Sequence, residues 1–283
     1  MCLAGVQGVD AYAFDPATAE YRFVSTVTSL VAGASLWAGD LLPGALALAP
    51  GTPVRWLLYL GTNNGVTALA VGVAGGSSIA ADDPFPPAPP LLWYGTSIIQ
   101  GGVSFKPGSI ATARISRALA REVLNFGFSA QCKMEQSVAA YLVNASSASS
   151  GLAPALIVID CLWNMQPAEI ASAVAPLVAF IRAHGHATTP IVLAEGTAFG
   201  RNWAVAPQAA FQNASNAALR GAFEALVAAG DENLYYVRTE QIWAPGGDSP
   251  TAAGLHPTDE GMHRQASFWA AYLPPLLQPR ATS

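Results

Sequence analysis

The chain has 283 residues, of which 52% are hydrophobic and 11% charged, with a formal net charge of −5. That composition supplies a sizeable core and excludes an intrinsically disordered chain. So mild a negative balance also argues against non-specific nucleic-acid binding, which needs clustered Lys and Arg. The most apolar stretch, Val24 to Gly39, is interrupted by Gly, Ser and Thr and closed by Asp40, too short and too broken to span a bilayer. No basic segment followed by an apolar run opens the sequence, so no signal peptide is visible; the expectation is a soluble protein of open compartment. Cys2, Cys132 and Cys161 show neither the paired spacing of a zinc site nor an even count for a disulfide framework, and free thiols are expected.

In chain order, residues 22–27, 55–60 and 66–73 are apolar, β-branched runs separated by turn residues and read as strands. Gly61-Thr62-Asn63-Asn64-Gly65 between the last two has the residues of a hairpin turn, because Asn and Gly tolerate positive φ. The stretch Asp82 to Pro90 reads DDPFPPAPP and is an extended linker. Residues 1–81 are therefore expected to form a small β-unit, residues 82–90 a linker, and residues 91–283 a second domain.

Beyond the linker short apolar runs alternate with long helical stretches. Leu91–Tyr94, Ala155–Ile159, Pro190–Ala194 and Leu234–Val237 are the expected buried strands. Residues 111–122, 134–143, 167–184, 207–229 and 259–273 are the expected helices. Such alternation predicts a parallel sheet with helices on both faces, whose functional groups gather beyond the carboxyl ends of the strands.

Those strand ends carry chemistry-bearing residues. Leu92-Trp93-Tyr94-Gly95-Thr96-Ser97 runs an apolar strand into a small-residue turn that exposes a serine. In Asn125-Phe126-Gly127-Phe128-Ser129 the glycine could offer its N–H to an oxyanion, or be a loop glycine. Asn164, after the strand ending at Asp160, is a second oxyanion donor or a turn residue. His256 lies just before the last helix, whereas His184 and His186 sit at a helix end where a cation suits the dipole. His263 falls within the last helix, as a surface residue.

The strings YGTSIIQGG, NFGFSA, DCLWNM and GLHPTDEGM resemble, in order, the four sequence blocks of the SGNH hydrolases, also called GDSL esterases. They are most similar to the branch whose blocks read YGTSITQGG, NLGFSGNG, LDCxPNM and DGxHPTDLG. That branch often carries a β-domain marked by Gly-x-Asp-Leu-Tyr, and Gly8-Val9-Asp10-Ala11-Tyr12 matches it except at Ala11. The resemblance implies a three-layer α/β/α, flavodoxin-like parallel sheet preceded by a small β-sandwich unit. It implies Ser97 as nucleophile, His256 as general base, and the N–H groups of Ser97 and Gly127 with the Asn164 side chain as oxyanion hole. Thr96, Trp163 and Trp203 become candidates for the substrate pocket, and Glu195 matches an acidic position of the branch for which a structural role is expected. No cofactor and no metal are called for.

Two departures bear on function. The acid three residues before the histidine is replaced by Ala253, leaving Asp259, Asp248, a backbone carbonyl or nothing to hold the imidazole. The Gly-x-Asp motif starts at residue 8, so the first half of the β-unit is expected to be missing. The resemblance implies short acyl, acetyl-like esters, often on sugars, as substrates. Hydrolysis, transfer of the acyl group to an alcohol, and an inactive binding module all stay open, as does the oligomeric state.

Overall fold

The computed structural model describes residues 8–27, 39–40, 51–63, 65–145, 153–243 and 249–278. Its centre is a five-stranded, wholly parallel sheet of β4 (Leu91–Gly95), β5 (Val123–Gly127), β6 (Leu156–Asp160), β7 (Ile191–Ala194) and β8 (Leu234–Val237), in the order β5-β4-β6-β7-β8. β4, β6 and β7 are buried at every residue, as expected of strands covered by helices on both faces.

Alternation sends Leu92, Tyr94, Ile157, Ile159, Ile191 and Leu193 to one face, where they meet Ile170, Val174 and Leu177 of a long helix, α4 (Pro167–Ala183), and Leu219 of α5 (Ala206–Ala228). Leu91, Trp93, Leu156, Val158 and Val192 face the other way. There they pack on Ile115 of α2 (Ala111–Leu119) and on Ala266 and Trp269 of the last helix, α7 (Asp259–Tyr272). The three layers are those expected from the sequence. Shorter helices are α1 (Ser97–Gln100), α3 (Gln136–Ala145) and α6 (Thr239–Ile242).

β5 corrects the sequence reading, which made the Asn125 segment a loop. Asn125, Phe126 and Gly127 lie inside a strand, paired with Trp93, Tyr94 and Gly95. The Asn125 amide, a poor strand signal, is satisfied by the Ile99 carbonyl and the Thr112 hydroxyl, both at 2.8 Å.

A separate antiparallel sheet near the amino terminus has the order β2-β1-β3, from β1 (Val9–Asp15), β2 (Glu20–Val27) and β3 (Trp56–Tyr59). β1, which begins within the Gly-x-Asp motif, is a strand beyond those expected from the apolar runs. Conversely, the strand expected over 66–73 does not form. Val66, Leu69, Val71 and Val73 are all exposed, and an extended segment without a paired neighbour gains neither ladder hydrogen bonds nor burial. The hairpin expected at 61–65 therefore has no second strand, and the Thr62 carbonyl and Asn63 Oδ1 accept from Gln100, at 2.9 and 3.0 Å.

The thiol expectation is also corrected. Cys132 and Cys161 form a disulfide with Cα atoms 5.1 Å apart, because the segments following β5 and β6, the two strands that flank β4, converge. Cys2 lies outside the described residues. Among the described residues no helix is long and apolar enough to cross a membrane, and no cluster of potential metal ligands occurs.

Candidate active site

The strand order reverses at β4, with β5 added on one side and β6 on the other, which makes a switch point in the sheet, where crevices open at the carboxyl ends of strands. Ser97 sits there, half-buried, as the first residue of α1. Thr96 caps that helix, its side chain accepting from the Ile98 N–H, and is 1% exposed. It sets the backbone of Ser97 rather than lining an open pocket.

His256 arrives from the far end of the chain on a short hairpin, β9 (Thr251–Ala252) paired with β10 (His256–Pro257). Its Nε2 lies 2.9 Å from Ser97 Oγ. Burial lowers the imidazole pKa below 6.5, so the ring is neutral at neutral pH and can accept the serine proton through Nε2.

Among the described residues no carboxylate holds the other face of that ring. Ala253 occupies the turn with φ +53°, followed by Gly254 at φ +80°, and the Leu255 N–H closes it on the Ala252 carbonyl at 3.2 Å. Asp259 is spent elsewhere: its Oδ1 accepts from the Ser104 hydroxyl at 3.0 Å and the Phe105 N–H at 3.1 Å. Asp160, at the end of β6, is buried with its carboxyl pushed up to about 7 by desolvation. Asp248 lies outside the described residues.

Two of the three expected oxyanion donors have partners within the chain. The Gly127 N–H donates to Asn125 Oδ1 at 2.8 Å. What the glycine provides is room, since a Cβ there would collide with the Gln100 backbone in α1. The Asn164 amide donates to the Gln131 carbonyl, which leaves its second N–H for another acceptor.

Trp163, beside Asn164, packs against Phe199 with ring centroids 4.4 Å apart and fills the space over Gly196. Trp203 is 89% exposed. Its loop is tied to the histidine hairpin by the Gly200 N–H, which donates to the Gly254 carbonyl at 2.9 Å.

Glu195 is an interior hub. One oxygen accepts from Tyr236 Oη and Arg220, at 2.7 and 2.8 Å, and the other from the Thr239 N–H and Asn216, at 2.7 and 3.0 Å. Burial pushes its carboxyl up, but the Thr239, Tyr236 and Arg220 hydrogen bonds outweigh that and hold it below the usual Glu value.

Residues 89–273 match the model of the GDSL-like lipase/acylhydrolase family. The chain belongs to this family. Solved structures agree on the fold of this GDSL-family chain. A GDSL-like lipase from Bacteroides ovatus matches at 23% identity and TM-score 0.83, over 100% of this chain and 78% of the other. A salicylyl-acyltransferase from a tetracycline biosynthetic pathway matches at 18% identity and TM-score 0.69, over 96% and 75%. A carbohydrate esterase family 2 enzyme with a carbohydrate-binding domain, from Corynascus thermopiles (Myceliophthora fergusii), matches at 15% identity and TM-score 0.65, over 96% and 88%. No curated protein sequence matches the chain.

Proposed function

We propose that this GDSL-family chain is a serine esterase that removes short, acetyl-like acyl groups, on carbohydrates among other alcohols, through an acyl-Ser97 intermediate. The observation that carries this is the 2.9 Å contact between Ser97 Oγ and His256 Nε2 at the switch point of the sheet. A serine hydroxyl becomes a useful nucleophile when a neighbouring imidazole takes its proton.

His256 Nε2 accepts that proton as Oγ bonds the ester carbonyl carbon and the carbonyl π pair moves onto oxygen. The Ser97 N–H and the second N–H of Asn164 stabilise the oxyanion. Collapse expels the alkoxide, which takes the proton back from Nε2. Water, deprotonated by the same imidazole, then attacks the acyl carbon, and collapse of that adduct expels Ser97 Oγ, which takes the proton back from Nε2 as the carboxylic acid leaves. The exposed Trp203, on the loop tied to the histidine hairpin, gives a sugar ring a face to stack on, and Trp163 with Phe199 forms an apolar flank.

A second reading keeps the acyl-serine and replaces water by an alcohol. The aromatic flank at Trp163 favours it, and so does the acyltransferase named among the similar folds.

Hydrolysis of 4-nitrophenyl acetate by the parent, Ser97→Ala, and Ala253→Asp tests the reading. Ser97→Ala is expected to abolish turnover. Ala253→Asp is expected to raise kcat by at least about tenfold, since loss of the orienting acid costs other triads roughly 10⁴. Turnover that survives Ser97→Ala would refute the assignment. Turnover that appears only with an added alcohol acceptor selects the transferase. A parent and Ala253→Asp variant that are both inert with either acceptor leave a binding module.

A further inference from the structure

The segment between β5 and α3 holds three non-glycine residues in the left-handed region: Ala130 at φ +60°, Cys132 at +70° and Met134 at +59°. Ala and Met have no polar side chain to support that conformation, which the clash of Cβ with the following carbonyl disfavours. Backbone of this kind persists only where its surroundings over-determine it.

The two ends of the segment are fixed by hydrogen bonds. The Phe128 N–H donates to the Gly95 carbonyl at 2.8 Å and the Ser129 N–H to Gln100 Oε1 at 2.9 Å. At the other end Glu135 accepts from Tyr94 Oη at 2.7 Å and from the Lys133 N–H at 2.8 Å. The middle is held by the Cys132–Cys161 disulfide and by the Asn164 amide on the Gln131 carbonyl. Those two links share a small closed ring: Gln131, Cys132, across the disulfide to Cys161, Leu162, Trp163, Asn164, and through the amide back to Gln131.

We propose that the Cys132–Cys161 disulfide is the positioning device of the oxyanion amide of Asn164. The inference rests on the reading of Asn164 as an oxyanion donor. The disulfide ties the acceptor of one Asn164 N–H to the strand end from which Asn164 itself departs. One amide proton is thereby anchored, and the direction of the other is set before substrate arrives. Preorganised donors of this kind act because they need no reorientation as charge develops. With the disulfide gone, residues 130–134 are free to leave the left-handed region, the Gln131 carbonyl shifts, and the amide can rotate. Cys132 is 1% exposed and Cys161 0%, so the link is sheltered from solvent thiols and acts as a fixed brace.

The test compares the parent with Cys132→Ala/Cys161→Ala and with the space-filling pair Cys132→Ala/Cys161→Val. Each is assayed with and without Asn164→Ala, on 4-nitrophenyl acetate and on its thionoester analogue. Loss of a whole oxyanion donor costs about 10²–10³ in kcat, which bounds the effect. Removing the disulfide is expected to lower kcat by about tenfold or more with KM within about threefold, the mark of an interaction made in the transition state. The oxygen-ester over thionoester rate ratio is expected to fall in parallel. Asn164→Ala, costly in the parent, is expected to cost little more once the disulfide is absent.

An active parent whose disulfide-free variants match it in kcat, or in which Asn164→Ala costs the same in both backgrounds, overturns the inference alone. So does failure of both cysteine pairs to fold, which would make the disulfide a general stability element. A parent that neither turns over ester nor takes a fluorophosphonate on Ser97 overturns the esterase reading, and this inference with it.

Discussion

Ala253 occupies a position where the backbone itself prefers another residue. Both central residues of its turn have positive φ, the pattern of a type I′ hairpin turn in which Asn, Asp and Gly are favoured. An aspartate there would suit the turn and place an acid three residues before His256. The pH dependence follows from the imidazole. Burial lowers its pKa, and only the neutral ring accepts the serine proton, so kcat/KM should rise with pH through a limb centred below 6.5. An acid beside the ring stabilises the imidazolium and raises that pKa. Ala253→Asp is therefore expected to move the limb to higher pH while raising its plateau, as read from kcat/KM between about pH 4.5 and 8. An unmoved limb would show that the new carboxylate does not reach the ring. At this scale the four ordered blocks singled out Ser97 and His256, which the fold brings within 2.9 Å of each other. The sequence misdirected the Gly127 N–H to an oxyanion and left Asp259 open as a partner of the imidazole. Each binds a partner brought by the fold, Asn125 Oδ1 for the glycine N–H and the Ser104–Phe105 turn for the carboxylate.

Among the elements, legibility followed the source of stability. β4, β6, β7 and β8 are continuous apolar runs between helical stretches, and period and length alone identify them. β5 was missed because Asn125 breaks its apolar run, and its place beside β4 depends on tertiary hydrogen bonds that no local pattern announces. The stretch 66–73 shows the converse: β-branched residues without a partner strand stay out of the sheet. The disulfide was illegible for the same reason as β5, since Cys132 and Cys161 become neighbours only when β5 and β6 flank β4. Glu195 illustrates how a buried charge knits elements together, linking the end of β7 to α5, β8 and α6. Glu195→Gln replaces one accepting oxygen by a donor that faces donors. Hydrogen bonds to a charged group contribute roughly 1.5–3 kcal/mol, and Arg220 is partly exposed, so a loss of about 2 kcal/mol is expected at neutral pH. Because the folded-state pKa of Glu195 is lowered, its contribution is present above the ordinary value of 4.5 and is lost as pH falls through the folded-state pKa. The Tm difference between parent and Glu195→Gln should therefore narrow in acid. A difference constant from about pH 3 to 7 would assign the cost to packing.

For the whole molecule the question is what holds the amino-terminal sheet to the parallel one. Asp10, fully buried, accepts from the Gly108 N–H at 2.7 Å and from Thr26 Oγ1 at 2.6 Å, so one carboxylate ties β1 to β2 and to the segment before α2. Tyr12 packs on Gly108, where no Cβ would fit, and beneath the Arg117 guanidinium, 4.2 Å from the ring centroid. Arg117 also faces Tyr59, and Lys106 sits 3.0 Å from the Phe23 centroid. The join is therefore polar and cation–π in character, with one buried charge at its centre. Burial raises the Asp10 pKa, the hydrogen bonds from Thr26 and Gly108 offsetting part of that rise, so the carboxylate is retained for its bonds at some cost in solvation. Asp10→Ala leaves the Gly108 N–H and the part-buried Thr26 hydroxyl without their acceptor, a loss of about 1–3 kcal/mol for the buried Gly108 N–H. That loss should fall on the join rather than on the parallel sheet. Limited proteolysis is expected to cut the Asp10→Ala variant within residues 1–81 faster than the parent, with the parallel-sheet fragment persisting. The join also bears on the site, because Gln100 in α1 holds both the Thr62–Asn63 loop and the Ser129 N–H. If the amino-terminal sheet braces the nucleophile helix, Asp10→Ala should lower kcat as well as stability. Faster cleavage with an unchanged kcat would confine the sheet to a structural role.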